Sequence, residues 1–514
     1  MTAYPHGPGG TADVPAFDVP AFLGDPGTHG GAAVERIDTH AASVFLAGDR
    51  AWKIKRPVRL PSLDFSTRAR RWTALRTELA LNAPTAPGLY RGLWAVTEDG
   101  GGPVLRPAEG LTADDEERAE PVLLMSRFPA DAALDRMAAA GTLTPALAHD
   151  LGDAVADLHT QAPVRAGEGA AAALAAVADG NAAEMRARTT LFPSAAVEEL
   201  AHATAAALRR WGPLLEARGV AGRVRRCHGD LHLGNIVMWN GRPTPFDAIE
   251  FDESFATIDV LYDLAFLVMD LERLGLRSAA HGVLDRWLER TGDWGGLGAL
   301  PLFLSLRAAV RAKVAAAMGR ADTALADLDL ARRLLAPSTP ARVVAVGGLS
   351  GTGKTTLARA LAPGLGAAPG AVILRSDVLR KQLWGVALET RLPPAAYAPA
   401  VTAAVYARLL RWTEVLARAG RTVIVDAVSA RPDERDGLAR AAALAGVPFT
   451  GLWLEAGVDE RCRRVTARVR DASDADAGVA AAQEGYGIGV MAWHRVAAGG
   501  GVAEVLARAR EFLS

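Results

Sequence analysis

Short apolar runs separated by turns open the chain, and stretches of helical period follow them. Ser43-Val-Phe-Leu-Ala, a Gly48-Asp49 turn and Ala51-Trp-Lys-Ile-Lys predict a β-hairpin. Lys53 and Lys55 are two apart, so they share one face of its second strand. Thr67 to Ala80 predicts a helix and Val122 to Ser126 a strand. Pro145 to His159 carries apolar residues at helical spacing, with Leu151, Val155 and Leu158 on one face. A further helix begins at Ile258, and Arg307–Met318 and Thr323–Leu335 predict a closing helix pair. The pattern then changes. Arg342-Val-Val-Ala-Val is a buried strand, Thr356–Ala362 a helix stopped by Pro363-Gly364, and Thr422–Asp426 another apolar strand. Asp459 to Arg470 predicts a last helix with Arg464 and Arg468 on one face.

Composition narrows the class. A chain of 514 residues implies three to four folding units at about 100–200 residues each, and 50% apolar content supplies their cores. A net charge of −1 gives no global field for nucleic acid or membrane. Two distant cysteines, Cys227 and Cys462, fit a reduced, cytoplasmic setting better than a disulfide scaffold. The first residues lack the basic and apolar parts of a signal peptide, and no apolar run approaches a membrane span. Of 57 Lys plus Arg only five are Lys: Lys53, Lys55, Lys313, Lys354 and Lys381. In so Arg-rich a chain, a retained Lys marks a site that wants a compact ammonium rather than a planar fork.

The strongest chemical signal is Cys227–Phe251, CHGDLHLGNIVMWNGRPTPFDAIEF. Asp230 and Asn235 have the D-x-x-x-x-N spacing of a kinase catalytic loop, Asp as base and Asn as metal ligand. Asn240-Gly241 between two short runs predicts a two-residue hairpin turn. That turn sets Asp247 opposite Gly234, beside Asn235. Two carboxylates and an amide meeting there offer hard oxygen ligands that suit Mg²⁺. HGDLHLGN followed by FDAIEF resembles the aminoglycoside phosphotransferase and choline kinase group, relatives of protein kinases. The resemblance implies Asp230 as catalytic base, and Asn235 and Asp247 as Mg²⁺ ligands, with His228 structural. It also implies a strand Lys on the nucleotide phosphates, oriented by a helix Glu. Lys53 is the preferred Lys, Lys55 the alternative, and Glu78 the Glu.

The second signal is Gly348-Leu-Ser-Gly-Thr-Gly-Lys-Thr, a complete Walker A loop between a strand and a helix. Gly348, Ser350, Gly351, Thr352, Gly353 and Thr356 would wrap the phosphates, Lys354 would reach the β and γ groups, and Thr355 would ligate Mg²⁺. Asp426, ending an apolar strand, is the Walker B partner for the metal. Asp377 and Arg380 resemble the D-x-x-R element of small P-loop kinases such as gluconate kinases, polynucleotide kinases and zeta toxins. That resemblance makes Asp377 the group that takes the acceptor proton and Arg380 a holder of substrate or phosphate; the alternative is that Ser376 or Asp377 merely caps a helix. Arg464 and Arg468 look like a lid on ATP phosphates, and the absence of interleaved aromatics speaks against a nucleic-acid patch.

From about residue 30 to 500 the chain resembles bacterial bifunctional proteins that join an aminoglycoside phosphotransferase-family module to a P-loop ATP-binding module. The implied fold is an α+β protein-kinase-like two-lobed domain fused to an α/β P-loop kinase domain with a parallel sheet. The expected division is a loosely ordered stretch 1–30, an N-lobe 31–120, a helical C-lobe 121–335, a linker 336–340 and the P-loop domain 341–514. The implied activity is ATP- and Mg²⁺-dependent transfer of a γ-phosphate to a small-molecule hydroxyl, with no membrane partner and no stated oligomer. The alternative is one active module and one nucleotide-sensing or binding module.

Overall fold

The computed structural model describes residues 17–60, 63–165, 167–336, 340–468 and 471–513. The linker expected at 336–340 falls mostly outside them. Two compact units form. The first comprises the chain up to Thr142 with Ala162–Arg165 and Arg225–Ile258; the second comprises Leu143–Gln161, Ala166–Val224 and Asp259–Ser514.

The first unit is built on an antiparallel six-stranded sheet. Its order is Val34–Asp38, Ala42–Ala47, Arg50–Lys55, Glu120–Ser126, Tyr90–Asp99, Gly102–Pro107. Alternation along the strands sorts residues to two faces. Trp52 and Ile54 join Phe45, Val96 and Val122 on one face. Ala51 joins Leu75, Leu123 and Val237 on the other, so Lys53 and Lys55 stand on the side of the helix Arg68–Asn82. The expectation of loose order up to residue 30 does not hold for its described part. Asp18 caps a helix at Val19–Gly24, and Val19 and Leu23 enter the Phe45 core. These apolar residues at i and i+4 outweigh the surrounding Gly and Pro.

In the second unit, Pro145–Gln161, Ser194–Val220, Val260–Arg273, Arg277–Thr291, Leu300–Ala317 and Ala321–Leu335 are helices. Gly152 lets the first approach the fourth closely: a Cβ there would lie 2.8 Å from Arg286 Cβ and the Val283 carbonyl oxygen. Buried Arg218 is clamped by Asp259 at 2.6 Å and Asp293 at 2.7 Å. From Val343 onward the unit holds a five-stranded parallel sheet, ordered Val372–Arg375, Val423–Asp426, Val343–Gly347, Phe449–Glu455, His494–Ala497. Buried Val and Ile strands with helical crossovers give the α/β arrangement expected of the P-loop region. Among the described residues no helix is long and apolar enough to cross a membrane.

Candidate active sites

The first site is assembled by a hairpin. Ile236–Trp239 pairs with Arg242–Pro245 in the register the Asn240-Gly241 turn demands, with Trp239 opposite Arg242. Asn240 has a φ of 50° and Gly241 of 76°, the conformations of this turn type. The Phe246 amide then donates to the Asn235 carbonyl at 2.9 Å, which leaves Asp247 one residue beyond. Asp247 takes a φ of 62° and is held by its neighbours. Its amide donates to Tyr90 Oη at 3.0 Å, and the Ala248 amide donates to Asn82 Oδ1 at 3.0 Å. His228 Nε2 bonds the Phe246 carbonyl at 2.9 Å, a structural placement.

Lys53 Nζ lies 2.7 Å from Glu78 Oε1 and 2.6 Å from Asp247 Oδ1. Glu78 is fully buried because the helix Arg68–Asn82 turns Arg71, Trp72, Leu75, Glu78 and Asn82 inward together. Its other oxygen meets Lys55 Nζ at 2.8 Å, and Lys55 also reaches Glu250 at 2.5 Å. The two lysines therefore share Glu78 and differ in their second carboxylate. Burial alone would raise the Asp247 carboxyl, but the charges of Lys53 and Lys55 overcome it and hold it well below the usual range. Asn235 Nδ2 donates to the Asp230 carbonyl and to Asp230 Oδ2, both at 3.0 Å. That leaves Asn235 Oδ1 as the atom offered to a cation. Asn235 Oδ1 with Asp247 is an oxygen set that fits Mg²⁺. Tyr90 and Asn82 were not singled out in the sequence, since nothing in their local spacing marks them.

The second site is a cavity of about 1810 Å³ lined by Ser350, Gly351, Thr352, Gly353, Lys354, Thr355, Thr356, Asp377, Arg380, Asp426, Arg464 and Arg468. The Walker loop leaves the strand Val343–Gly347 and enters the helix Lys354–Leu361. Gly351 has a φ of 88°, and a Cβ on it would stand 2.5 Å from the Arg461 carbonyl oxygen. Gly348 does not line the cavity. A Cβ there would meet the Leu454 carbonyl and Thr352 Oγ1 at 2.8 Å, so this glycine serves the loop's packing. Thr355 Oγ1 donates to Asp426 Oδ2 at 2.5 Å, which sets a hydroxyl beside a carboxylate as a hard-cation pair. Lys354 Nζ donates to the Leu349 carbonyl at 3.1 Å, and burial lowers its pKa.

Asp377 and Arg380 share the helix Ser376–Trp384. Its N-cap is Arg375 with no side-chain capping bond, so neither Ser376 nor Asp377 is spent as a cap. Burial raises the Asp377 pKa, with Arg375 opposing and Asp426 adding to it. Arg380 donates to the Ala396 carbonyl at 2.7 Å and lies over the Tyr397 ring. Arg464 donates to the Thr352 carbonyl at 3.2 Å, on the loop itself. The helix expected over Asp459–Arg470 is shorter: it runs Val458–Thr466, so Arg468 lies beyond it and the shared-face argument fails for that residue. Residues 469–470 lie outside the described residues. Gln483, whose Oε1 accepts the Ser350 amide at 2.6 Å, and Arg375 are site residues that spacing alone did not reveal.

Comparison with known proteins follows the same two-part division. A model of the phosphotransferase enzyme family matches residues 47–300, and a model of an AAA domain matches residues 343–486. The uncharacterized proteins Rv2004c of Mycobacterium tuberculosis and Mb2027c of Mycobacterium bovis are each 30% identical over 458 residues, spanning 87% of this chain and 88% of theirs. The chain belongs to their family. This chain joins a phosphotransferase-family domain to an AAA domain. Solved structures also match parts of it, among them a choline/ethanolamine kinase family protein and a gluconokinase. A choline/ethanolamine kinase family protein from Mesorhizobium loti is 15% identical, covering 62% of this chain and 93% of that one at a TM-score of 0.38. A gluconokinase from Sinorhizobium meliloti 1021 is 20% identical, covering 34% and 91% at a TM-score of 0.25.

Proposed function

We propose that the chain is a cytoplasmic, ATP-dependent phosphotransferase with two kinase modules, each passing the γ-phosphate of Mg-ATP to a hydroxyl of a small molecule. The acceptor class is a sugar, an aminoglycoside-like amino sugar or a polyol acid. The observation that carries this reading is the Lys53 ammonium, held 2.7 Å from Glu78 and 2.6 Å from Asp247, the residue that a hairpin returns beside the Asp230–Asn235 loop preceding it. A compact ammonium between an orienting Glu and a metal-ligating Asp is what phosphate positioning requires.

In the first module Lys53 grips phosphate and Glu78 orients it. Asp230, half-exposed and tethered by Asn235, receives the acceptor proton. Asn235 and Asp247 would hold the metal, which neutralises charge on the transferring phosphoryl group. In the second module the Walker loop amides and Lys354 take the phosphates, with Arg464 and Arg468 above them. Thr355 and Asp426 would hold the metal there. Asp377 accepts the acceptor proton, its raised pKa moving it toward the range of a useful base. Arg380 holds the acceptor.

The test is acceptor-dependent ADP release by the full chain across sugars, aminoglycosides, nucleosides and polyol acids. Asp230→Asn and Asp377→Asn should each remove one set of acceptors. Release that no acceptor stimulates, in either variant or the parent, refutes the two-kinase reading.

A further inference from the structure

Helix Arg277–Thr291 belongs to the phosphotransferase-family match, yet its buried acids face the P-loop site. Glu289 is 2% exposed. Its Oε1 accepts from Arg375 Nη1 at 2.9 Å and from Arg359 Nη2 at 3.1 Å. One turn earlier, Asp285 Oδ2 lies 3.3 Å from Arg359 Nε. The Glu289 carbonyl accepts from Gln382 at 3.0 Å, and His281 bonds the Ala371 carbonyl at 2.9 Å. The helix thus touches the strand, the P-loop helix and the Asp377 helix of the second module.

Arg375 is the point where these contacts reach the site. It ends the strand beside Asp426 and pairs with that residue in register. Its Nη2 donates to Asp471 at 2.9 Å. Its Nε is buried without a hydrogen-bond partner, 3.5 Å from Asp426 Oδ2. That same oxygen accepts the Thr355 hydroxyl. One guanidinium therefore faces three carboxylates, and Glu289 draws it away from the one argued to serve the metal.

We propose that Glu289 is a positioning residue of the P-loop site, supplied by the phosphotransferase-family domain, and that it keeps Asp426 available for Mg²⁺ by holding Arg375. This rests on the reading of the second site as a Mg-nucleotide site. Without the Glu289 charge, Arg375 turns its unspent donor onto Asp426 Oδ2 and competes with the cation. A charge-assisted hydrogen bond of that kind corresponds to about a tenfold rise in the Mg²⁺ required.

The experiment titrates the full chain with a fluorescent N-methylanthraniloyl ATP, in EDTA and over a Mg²⁺ series. The relevant transition is the one that Lys354→Ala removes. Glu289→Gln should raise the Mg²⁺ for half-maximal binding about tenfold while affinity in EDTA stays within about twofold. Glu289→Asp, which keeps the charge, should stay close to the parent. Asp285→Asn, on the same buried helix face but paired with Arg359, should also leave the Mg²⁺ requirement unchanged. Thermal unfolding of each variant checks folding. An unchanged Mg²⁺ requirement in Glu289→Gln overturns the proposal. So does an equal shift in Asp285→Asn, which would show general loosening, or in Glu289→Asp. A parent chain with no Lys354-dependent transition overturns the nucleotide-site reading and this inference with it.

Discussion

Asp247→Asn separates metal binding from phosphate binding at the first site. Lys53 has three donors; one is on Glu78 at 2.7 Å and one on Asp247 at 2.6 Å. Neutralising Asp247 removes a charge-assisted bond worth about 1.5–3 kcal/mol and releases that donor toward phosphate. Metal-free ATP should therefore bind up to about tenfold more tightly, since 1.4 kcal/mol is a factor of ten. Mg-ATP should bind at least about tenfold more weakly, because even outer partners of metal ligands cost about 10–100-fold when lost. Asn is the right substitute. Residue 247 has a φ of 62°, which Asn tolerates, whereas Ala would add about 1–2 kcal/mol of backbone strain. The assay is calorimetry on the full chain carrying Lys354→Ala, with EDTA or saturating Mg²⁺. Because Lys53 and Lys55 hold the Asp247 carboxyl well below the usual range, it is charged throughout a neutral assay. Parallel weakening with and without metal, or an unchanged Mg²⁺ dependence, would refute the assignment of Asp247 as ligand.

Asp230→Asn should abolish acceptor-dependent turnover at the first site while leaving ATP affinity within about twofold, because the base is lost and the phosphate clamp stays; undiminished turnover with an acceptor of that site counts against it. The parent chain should bind two ATP per chain by calorimetry, with Lys354→Ala and Lys53→Ala each removing one; a stoichiometry of one would leave a single nucleotide module. Arg218→Met should destabilise the second unit by about 3–5 kcal/mol, since buried Asp259 would lose its guanidinium partner and Asp293 would keep only Arg223 at 3.9 Å; a denaturation midpoint equal to the parent's would refute that cost.

Local rules carried the sequence reading as far as they reach. Asn240-Gly241 sets the hairpin register, because a two-residue turn leaves no freedom in which residues face each other. The Walker loop and Asp426 are legible for a similar reason: loop, strand end and helix start are contiguous, and β-strand neighbours in a parallel sheet fall in step. Arg468 marks the limit. Helical spacing alone continued a helix that stops at Thr466. Arg375 and Glu289 were invisible because their significance is a tertiary meeting of charges from separate stretches, which the nearness of Arg375 to Asp377 in sequence does not reveal. Glu78 was legible only through the resemblance. Its full burial depends on a helix face that Arg71 and Asn82 share, which reads as polar in the sequence.

The first unit is discontinuous, and that has a consequence for synthesis. Its sheet is complete in sequence at Ser126, but Val237, in the same core as Leu75 and Leu123, belongs to a hairpin that follows an intervening block of helices. On the ribosome the Leu75 core lacks Val237, and Lys53, Lys55 and Glu78 lack Asp247 and Glu250, until Arg225–Ile258 has emerged. Such non-local closure is slow to form. The nascent chain therefore passes through a stage with an incomplete core and a lysine pair that shares one carboxylate where the finished unit supplies three.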